Sequence, residues 1–180
     1  IKRRKETKHL ESKIKAYHKE AITNMTNHFG EEMMQQLEKA DNFQPITFFF
    51  CGRLKRSLGI ATTNRGNKTI GQIKMHKKFF VDNNDKLNQL RETYIHELAH
   101  VVINRIYSKS QEHNDNWSKL YKIMGGNGEI YHREDVSAYR PKRKQYFAEC
   151  LCGTRRVQRK IALYPRNYKC TKCNQQLNKA

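Results

Sequence analysis

The segment His96-Glu97-Leu98-Ala99-His100 constrains this chain more than any other. Two imidazoles four residues apart share one face of a helix and can reach a single metal ion, with Glu97 projecting beside the first. This is the H-E-x-x-H arrangement of zinc hydrolases. A helix that serves such a site has to be fixed by packing, because ligands keep their positions only when the backbone beneath them is held. The surrounding sequence provides for this. No Pro or Gly interrupts Lys86 to Tyr107, and Leu87, Leu90, Tyr94, Leu98, Val101 and Val102 recur at three- and four-residue steps. Asp82, Asn83, Asn84 and Asp85 offer N-capping side chains just upstream.

A peptidase-type zinc takes three protein ligands and leaves its fourth position to water, so a third donor is expected downstream. The metzincin spacing asks for Gly and His where this chain has Ile103 and Ile106, which excludes that class. His113 is the leading donor: it follows the polar stretch Ser108 to Gln111 and opens a second helical pattern through Trp117, Leu120, Tyr121 and Met124. Glu112, Glu129, His132 and Glu134 are its rivals, a glutamate giving a gluzincin-type set.

A second cluster of chemistry lies near the C-terminus, where Cys150 and Cys152 are followed by Cys170 and Cys173. Four thiolates in two close pairs suit a tetrahedral structural zinc site, and Gly153 suits a tight turn that aims backbone amides at sulfur. The other use of such cysteines is two disulfides in a secreted module. The chain opens Ile1-Lys2-Arg3-Arg4-Lys5 with no apolar core of an export signal, so zinc and a reducing intracellular compartment (cytoplasm, nucleoid or nucleus) are expected. Cys51 ends the apolar run Ile46 to Phe50 and reads as a small buried hydrophobe.

Charge adds a third constraint. The chain holds 36 Lys and Arg against 17 Asp and Glu, but residues 140–180 alone carry 12 basic and 1 acidic, while residues 21–139 carry 16 and 13. The excess falls on Arg140, Lys142, Arg143, Lys144, Arg155, Arg156, Arg159, Lys160, Arg166, Lys169 and Lys172, with Tyr146, Phe147, Tyr164 and Tyr168 interleaved. Clustered cations on a small rigid module, with aromatics able to stack, point to a polyanion, and DNA or another nucleic acid is the expected partner.

Several ordered pieces together resemble the SprT/Spartan metallopeptidase domain. They are Leu58-Gly59-Ile60-Ala61, Gly71-Gln72-Ile73-Lys74-Met75, Thr93 through His100, and His113-Asn114-Asp115-Asn116-Trp117 with Met124-Gly125-Gly126. The resemblance spans roughly residues 43–180, including a ribbon that starts C-x-C. It implies a small curved sheet before the metal helix, a third histidine ligand followed four positions on by an aromatic residue, and proteolysis of proteins bound or crosslinked to DNA. One departure is visible: the family commonly has Gly-Pro after the third histidine, where this chain has Asn114-Asp115.

The expected architecture is α+β: a zincin-like minimal metallopeptidase core, with a small sheet packed on helices, and a C-terminal four-cysteine zinc ribbon. Residues 1–42 read as a basic arm of about eight residues and a helix marked by Ile14, Tyr17, Ile22, Met25, Phe29, Met33 and Leu37. Residues 43–139 form the core, with strands near 46–51, 57–63 and 69–75 and a hairpin turn at Asn64-Arg65-Gly66-Asn67. Residues 140–180 form the basic ribbon, which at this size needs a metal to fold. No run is long enough to span a bilayer.

Function follows as an expectation: a DNA-associated zinc metalloendopeptidase with one catalytic and one structural Zn2+. His96, His100 and His113 hold the catalytic ion, Glu97 is the general base and acid, and Tyr131, His132 or Arg133 supplies an oxyanion donor. The alternative is a non-catalytic nucleic-acid-binding structural or regulatory zinc protein within a nucleoprotein assembly. A scaffold of that kind has no use for Glu97.

Overall fold

The computed structural model describes residues 2–32, 34–35, 46–63, 71–107, 113–130, 134–140 and 145–180. The fold is α+β, in two compact units, Ile1–Arg140 and Pro141–Ala180.

The first unit opens with α1 (Lys2–Phe29), a 28-residue helix. The first eight residues, expected to form an arm, are therefore helical from Lys2, as the good helix propensity of Lys and Arg allows. Leu10, Ile14, Ala21 and Met25 are buried along one face, with Tyr17 and Ile22 partly buried beside them. Phe29, expected on that face, is exposed at the helix end, where Gly30 takes φ +84° and stops the helix. Met33 and Leu37 lie outside the described residues.

Three strands follow: β1 (Thr47–Cys51), β2 (Gly59–Thr63) and β3 (Gly71–His76). β3 is central, parallel to β1 and antiparallel to β2. Pairing of Thr63 with Gly71 is what a β2–β3 hairpin requires, although the turn at 64–67 lies outside the described residues. Ile73 and Met75 are fully buried on the inner face, with Phe48 and Phe50 packed against the same core. On the outer face Cys51 pairs with His76 and is half-buried, a correction to its reading as a core residue.

A short helix missed by the sequence reading, α2 (Lys77–Asp82), starts directly after β3. The His76 ring caps it, Nδ1 accepting from the Phe79 amide at 3.1 Å, and Phe79 and Phe80 are buried. Asn83, expected to cap the next helix, instead donates from Nδ2 to the Phe79 carbonyl at 2.9 Å and to the Tyr139 hydroxyl at 3.2 Å. The side chain is spent on the end of α2, and α3 (Leu87–Ile106) begins at Lys86 with no side-chain cap. The buried face of α3 is broader than the expected stripe, adding Ile95, Ala99 and Ile103, because the helix packs against β2 and β3 as well as α1 and α4. Helix α4 (Asp115–Ile123) starts at Asn114, whose Oδ1 accepts from the Trp117 amide at 3.0 Å. It ends in a Schellman motif: Gly125 N–H bonds Lys122 O and Gly126 N–H bonds Tyr121 O, each at 2.9 Å. A 3-10 turn, Ser137–Tyr139, packs its tyrosine against His76 and Phe79.

The second unit is built on the antiparallel hairpin β4 (Tyr146–Cys150) and β5 (Gly153–Val157). Helix α5 (Arg159–Leu163), a 3-10 turn at Pro165–Asn167 and β6 (Asn178–Lys179) complete it. The buried hydrophobic cluster is Ala148, Cys170 and Leu177, too small to stabilise a fold without a cross-link or metal. Among the described residues no helix is long and apolar enough to cross a membrane.

Candidate metal centre and active cleft

His96 and His100 project from the same face of α3, and the chain returns so that His113, just before α4, meets them. The three Nε2 atoms form a closed triangle with sides of 3.3 Å (His96–His100), 3.1 Å (His100–His113) and 3.0 Å (His96–His113). Three neutral imidazoles cannot satisfy such a triangle by hydrogen bonding, because each Nε2 is either a donor or an acceptor and one side must join two alike. A cation at the centre removes the conflict, since all three nitrogens then present lone pairs to it. Nitrogens bound to one tetrahedral zinc stand roughly 3.3 Å apart, so the donor set fits that ion in both chemistry and spacing.

Trp117 is the floor of the centre. It is fully buried, its ring centroid lies 4.7, 5.1 and 4.6 Å from those of His96, His100 and His113, and it stacks in turn on Tyr121 at 5.0 Å. One aromatic plane thus restricts all three imidazoles. His113 is further set by its backbone, which takes φ +45°, a conformation that costs a non-glycine residue about 1 kcal/mol or more. Asn114, one residue on, anchors the strained segment by capping α4.

Glu97 is buried in the seam between α3 and β2, where its carboxylate accepts from the Ala61 amide. Burial pushes its pKa up to about 7, against the smaller lowering effect of that hydrogen bond; a cation in the histidine triangle would draw it back down. The seam closes this tightly only because residue 59 is glycine. A Cβ there would lie 2.7 Å from Glu97 Cγ and 2.8 Å from Thr93 Cγ2. Gly59 is a site residue that sequence reasoning did not single out, although an isolated strand glycine is a signal of close backbone approach.

His96, Glu97 and His113 open into a cleft of about 520 Å³ lined also by Ser57, Gly59, Glu92 and Tyr121. Its far wall is pinned by Glu92, whose Oε2 accepts from the Tyr121 hydroxyl at 2.8 Å and the Asn127 amide at 2.9 Å. Arg91 ties the same wall to α1 and to the turn after α4, donating to Glu20 at 2.6 Å and to the Gly125 carbonyl at 2.9 Å. Of the rival third donors, Glu129 lines the cleft without joining the nitrogen cluster and Glu134 pairs with Lys86 at 2.5 Å. Glu112, Tyr131, His132 and Arg133 lie outside the described residues.

In the second unit the ligand sulfurs of Cys150, Cys152, Cys170 and Cys173 all lie within 4.8 Å of one another. Sulfur separations are 3.0 Å for Cys150–Cys152 and 3.7 Å for Cys152–Cys170, and all five cysteines are free thiols, so the disulfide alternative is absent. Sulfurs sharing a tetrahedral zinc stand roughly 3.8 Å apart, and the cluster is a candidate metal site on the same footing as the histidines. The Cys173 and Lys172 amides pull the Cys170 thiol down to about 6, towards the thiolate a metal requires. Backbone amides thus serve the second cysteine pair. At the first, Gly153 takes φ +111° and its carbonyl meets Cys150 Sγ at 3.4 Å.

Arg140, Arg156, Arg159, Lys160, Arg166, Lys169 and Lys172 are exposed. Lys142, Arg143 and Lys144, and the side chain of Arg155, lie outside the described residues. Phe147 and Tyr164 are exposed among these cations, whereas Tyr146 and Tyr168 are half-buried.

A family model described as SprT-like matches residues 22–138, which takes in the C-terminal end of α1, the sheet and all three histidines and ends short of the second unit. The chain is 26% identical over 112 residues to Protein SprT of Vibrio parahaemolyticus, covering 61% of this chain and 67% of that one. To Protein SprT of Glaesserella parasuis it is 25% identical over 152 residues, covering 80% and 92%. No solved structure matches it. With the histidine triangle and Glu97 inside the matched segment, and the match covering well over half of the sequence, the chain belongs to the SprT-like family.

Proposed function

We propose that this protein is a zinc metallopeptidase with a zincin-like core, acting on proteins bound or crosslinked to DNA. The observation that carries the reading is the closed triangle of three Nε2 atoms opening, beside Glu97, into one cleft. His96, His100 and His113 would hold the catalytic ion, and the four cysteines a structural one. The catalytic ion supplies Lewis acidity that makes water nucleophilic near neutral pH. Glu97, fixed by the Ala61 amide, takes the proton as water attacks the peptide carbonyl and delivers it to the departing amine. The walls from Gly59 and Glu92 leave an open-sided cleft suited to an extended polypeptide. Recruitment by nucleic acid is supported by the 12 to 1 charge balance of residues 140–180 and by exposed Phe147 and Tyr164 among those cations.

Purified protein should cleave a DNA-binding substrate faster when single- or double-stranded DNA is added. Glu97→Gln should abolish cleavage with two zinc ions per chain retained. Cleavage by that variant, or a wild-type chain that binds one zinc only through its cysteines, would reject the peptidase reading.

A further inference from the structure

We propose that the peptidase unit has a polyanion-binding surface of its own, at one end of its sheet beside the cleft, and that a nucleic-acid backbone occupies it. This rests on the reading that nucleic acid recruits the protein, and adds a contact apart in sequence from the basic tail. Residues 43–81 hold eight Lys and Arg and no Asp or Glu, an imbalance concealed by the near-neutral total of residues 21–139. Six of the eight lie among the described residues: Arg53, Lys55, Arg56, Lys74, Lys77 and Lys78.

Strand register gathers them. Cys51 pairs with His76, and Gly59 with Met75, so the β1–β2 loop carrying Arg53, Lys55 and Arg56 leaves the sheet at the end where Lys77 and Lys78 begin α2. The charges of Lys55 and Lys78 both bear on the ring of His76, which places the two segments around one point. Asp82, at the end of α2, is the acidic group that also acts there. Among the described residues none of the six cations pairs with a carboxylate, whereas Arg91 and Lys86 elsewhere in the unit are both paired.

The neighbouring sheet face is open as well. Phe49 and Ile60, 39% and 40% exposed, flank Lys74 in register, with Lys74 Nζ 6.0 Å from the Phe49 ring centroid. A ring and a cation side by side, continuous with unpaired cations, suit a phosphate backbone with a base against the ring. A membrane would call for a protruding apolar element, and here the two apolar side chains sit in a sheet with a lysine between them. The position has a consequence for the reaction, because Ser57 and Gly59 line the cleft and Arg56 immediately precedes them. Nucleic acid held here would deliver a protein bound on it to the cleft mouth.

The test uses the full chain with its zinc. Binding of a fluorescent DNA duplex would be followed by anisotropy across a salt series, for wild type, for Arg53→Gln/Lys55→Gln/Arg56→Gln and for Lys77→Glu/Lys78→Gln, with thermal melts of each. The second variant places an acid in the first turn of α2, which favours that helix, so it serves if the loop variant folds poorly. The loop variant should flatten the slope of log K against log salt by roughly 2 to 3, about 0.9 per lost phosphate contact, and lower DNA-stimulated cleavage with zinc content unchanged. Wild-type binding with the same slope in both variants overturns the inference alone. A wild-type chain with no salt-dependent DNA binding overturns the recruitment reading with it. Loss of binding to phosphatidylserine vesicles or to an acidic protein, with DNA binding unchanged, assigns the surface to that partner and overturns it too.

Discussion

Gly59→Ala places a methyl group where β2 and α3 have left no room. Its Cβ would stand 2.7 Å from Glu97 Cγ and 2.9 Å from Glu97 Oε1; ordinary contact begins at 3.4 Å, so Glu97 must retreat by about 0.7 Å or the seam must open. Opening is resisted on both sides, since β2 is paired with β3 over five residues and α3 is buried where it faces the sheet. Overpacking of this kind costs about 1–3 kcal/mol, a loss of roughly 3–15 °C in Tm for a unit of this size. The larger effect falls on cleavage, because displacing a catalytic group by about 1 Å can cost a hundredfold in rate. Zinc content should stay at the wild-type level, as the three atoms nearest the new methyl belong to Glu97 and Thr93 rather than to an imidazole. Gly71→Ala is the matched control: its Cβ would fall 2.3 Å from Val101 Cγ1 in the same sheet–helix interface, away from Glu97. It should lower Tm at least as much while kcat per folded molecule holds. Zinc analysis, melting curves and proteolysis rates on the two variants separate the effects. A Gly59→Ala protein that cleaves at the wild-type rate, or loses activity only in proportion to zinc, refutes the assignment of Gly59 to the positioning of Glu97.

Two further outcomes follow from the same structure. Chelating zinc, or changing Cys170→Ser, should unfold residues 145–180 while residues 2–140 stay folded, because the second unit's buried cluster is only three residues; amide exchange or limited proteolysis reads this, and protection of the ribbon without zinc would contradict it. Stability should also fall on acidification. Burial, aided by the nearby charges of Lys55 and Lys78 and opposed by a backbone hydrogen bond and by Asp82, holds His76 below its ordinary 6.5. The unfolded chain therefore binds the proton first, and stability complete above about pH 6.5 is lost as pH drops. His76→Asn keeps an acceptor for the Phe79 amide and removes the titration, so its Tm should vary less than wild type between about pH 7.5 and 5. Half-buried His18, 2.9 Å from the Tyr94 hydroxyl and also depressed, leaves a residual slope. Equal slopes in the two proteins would rule out His76 as a contributor.

The features read from sequence are those in which residue type itself encodes the chemistry. Imidazoles at 96, 100 and 113 and thiols at 150, 152, 170 and 173 are donors wherever they lie, and the structure brings each set together. Helix α3 was readable because its apolar positions repeat with the helical period. Helix α2 was not: Phe79, Phe80 and Val81 are consecutive, and a histidine is an uncommon cap. In sequence Asn83 reads as a forward cap because capping residues look alike at either end of a short loop, and only the folded chain shows its amide turned back to Phe79. Long-range positioning was equally out of reach, as with Arg91, which joins Glu20 across 71 residues of sequence.

The Asn114-Asp115 departure from the family's usual residues shows how such pieces act on the site. Read by pattern it weakens the match beside the third histidine. In the structure Asn114 caps α4, and Asp115 puts a negative charge in its first turn, where the helix dipole favours one. The cap fixes the start of the helix that carries Trp117, and Trp117 contacts all three imidazoles. Asn114 also follows His113 directly, so it holds one side of the strained backbone that aims that ring. A residue outside the histidine cluster thus bears on both the floor of the candidate centre and the backbone of His113, which is why spacing alone picks out the three imidazoles but not what makes them converge.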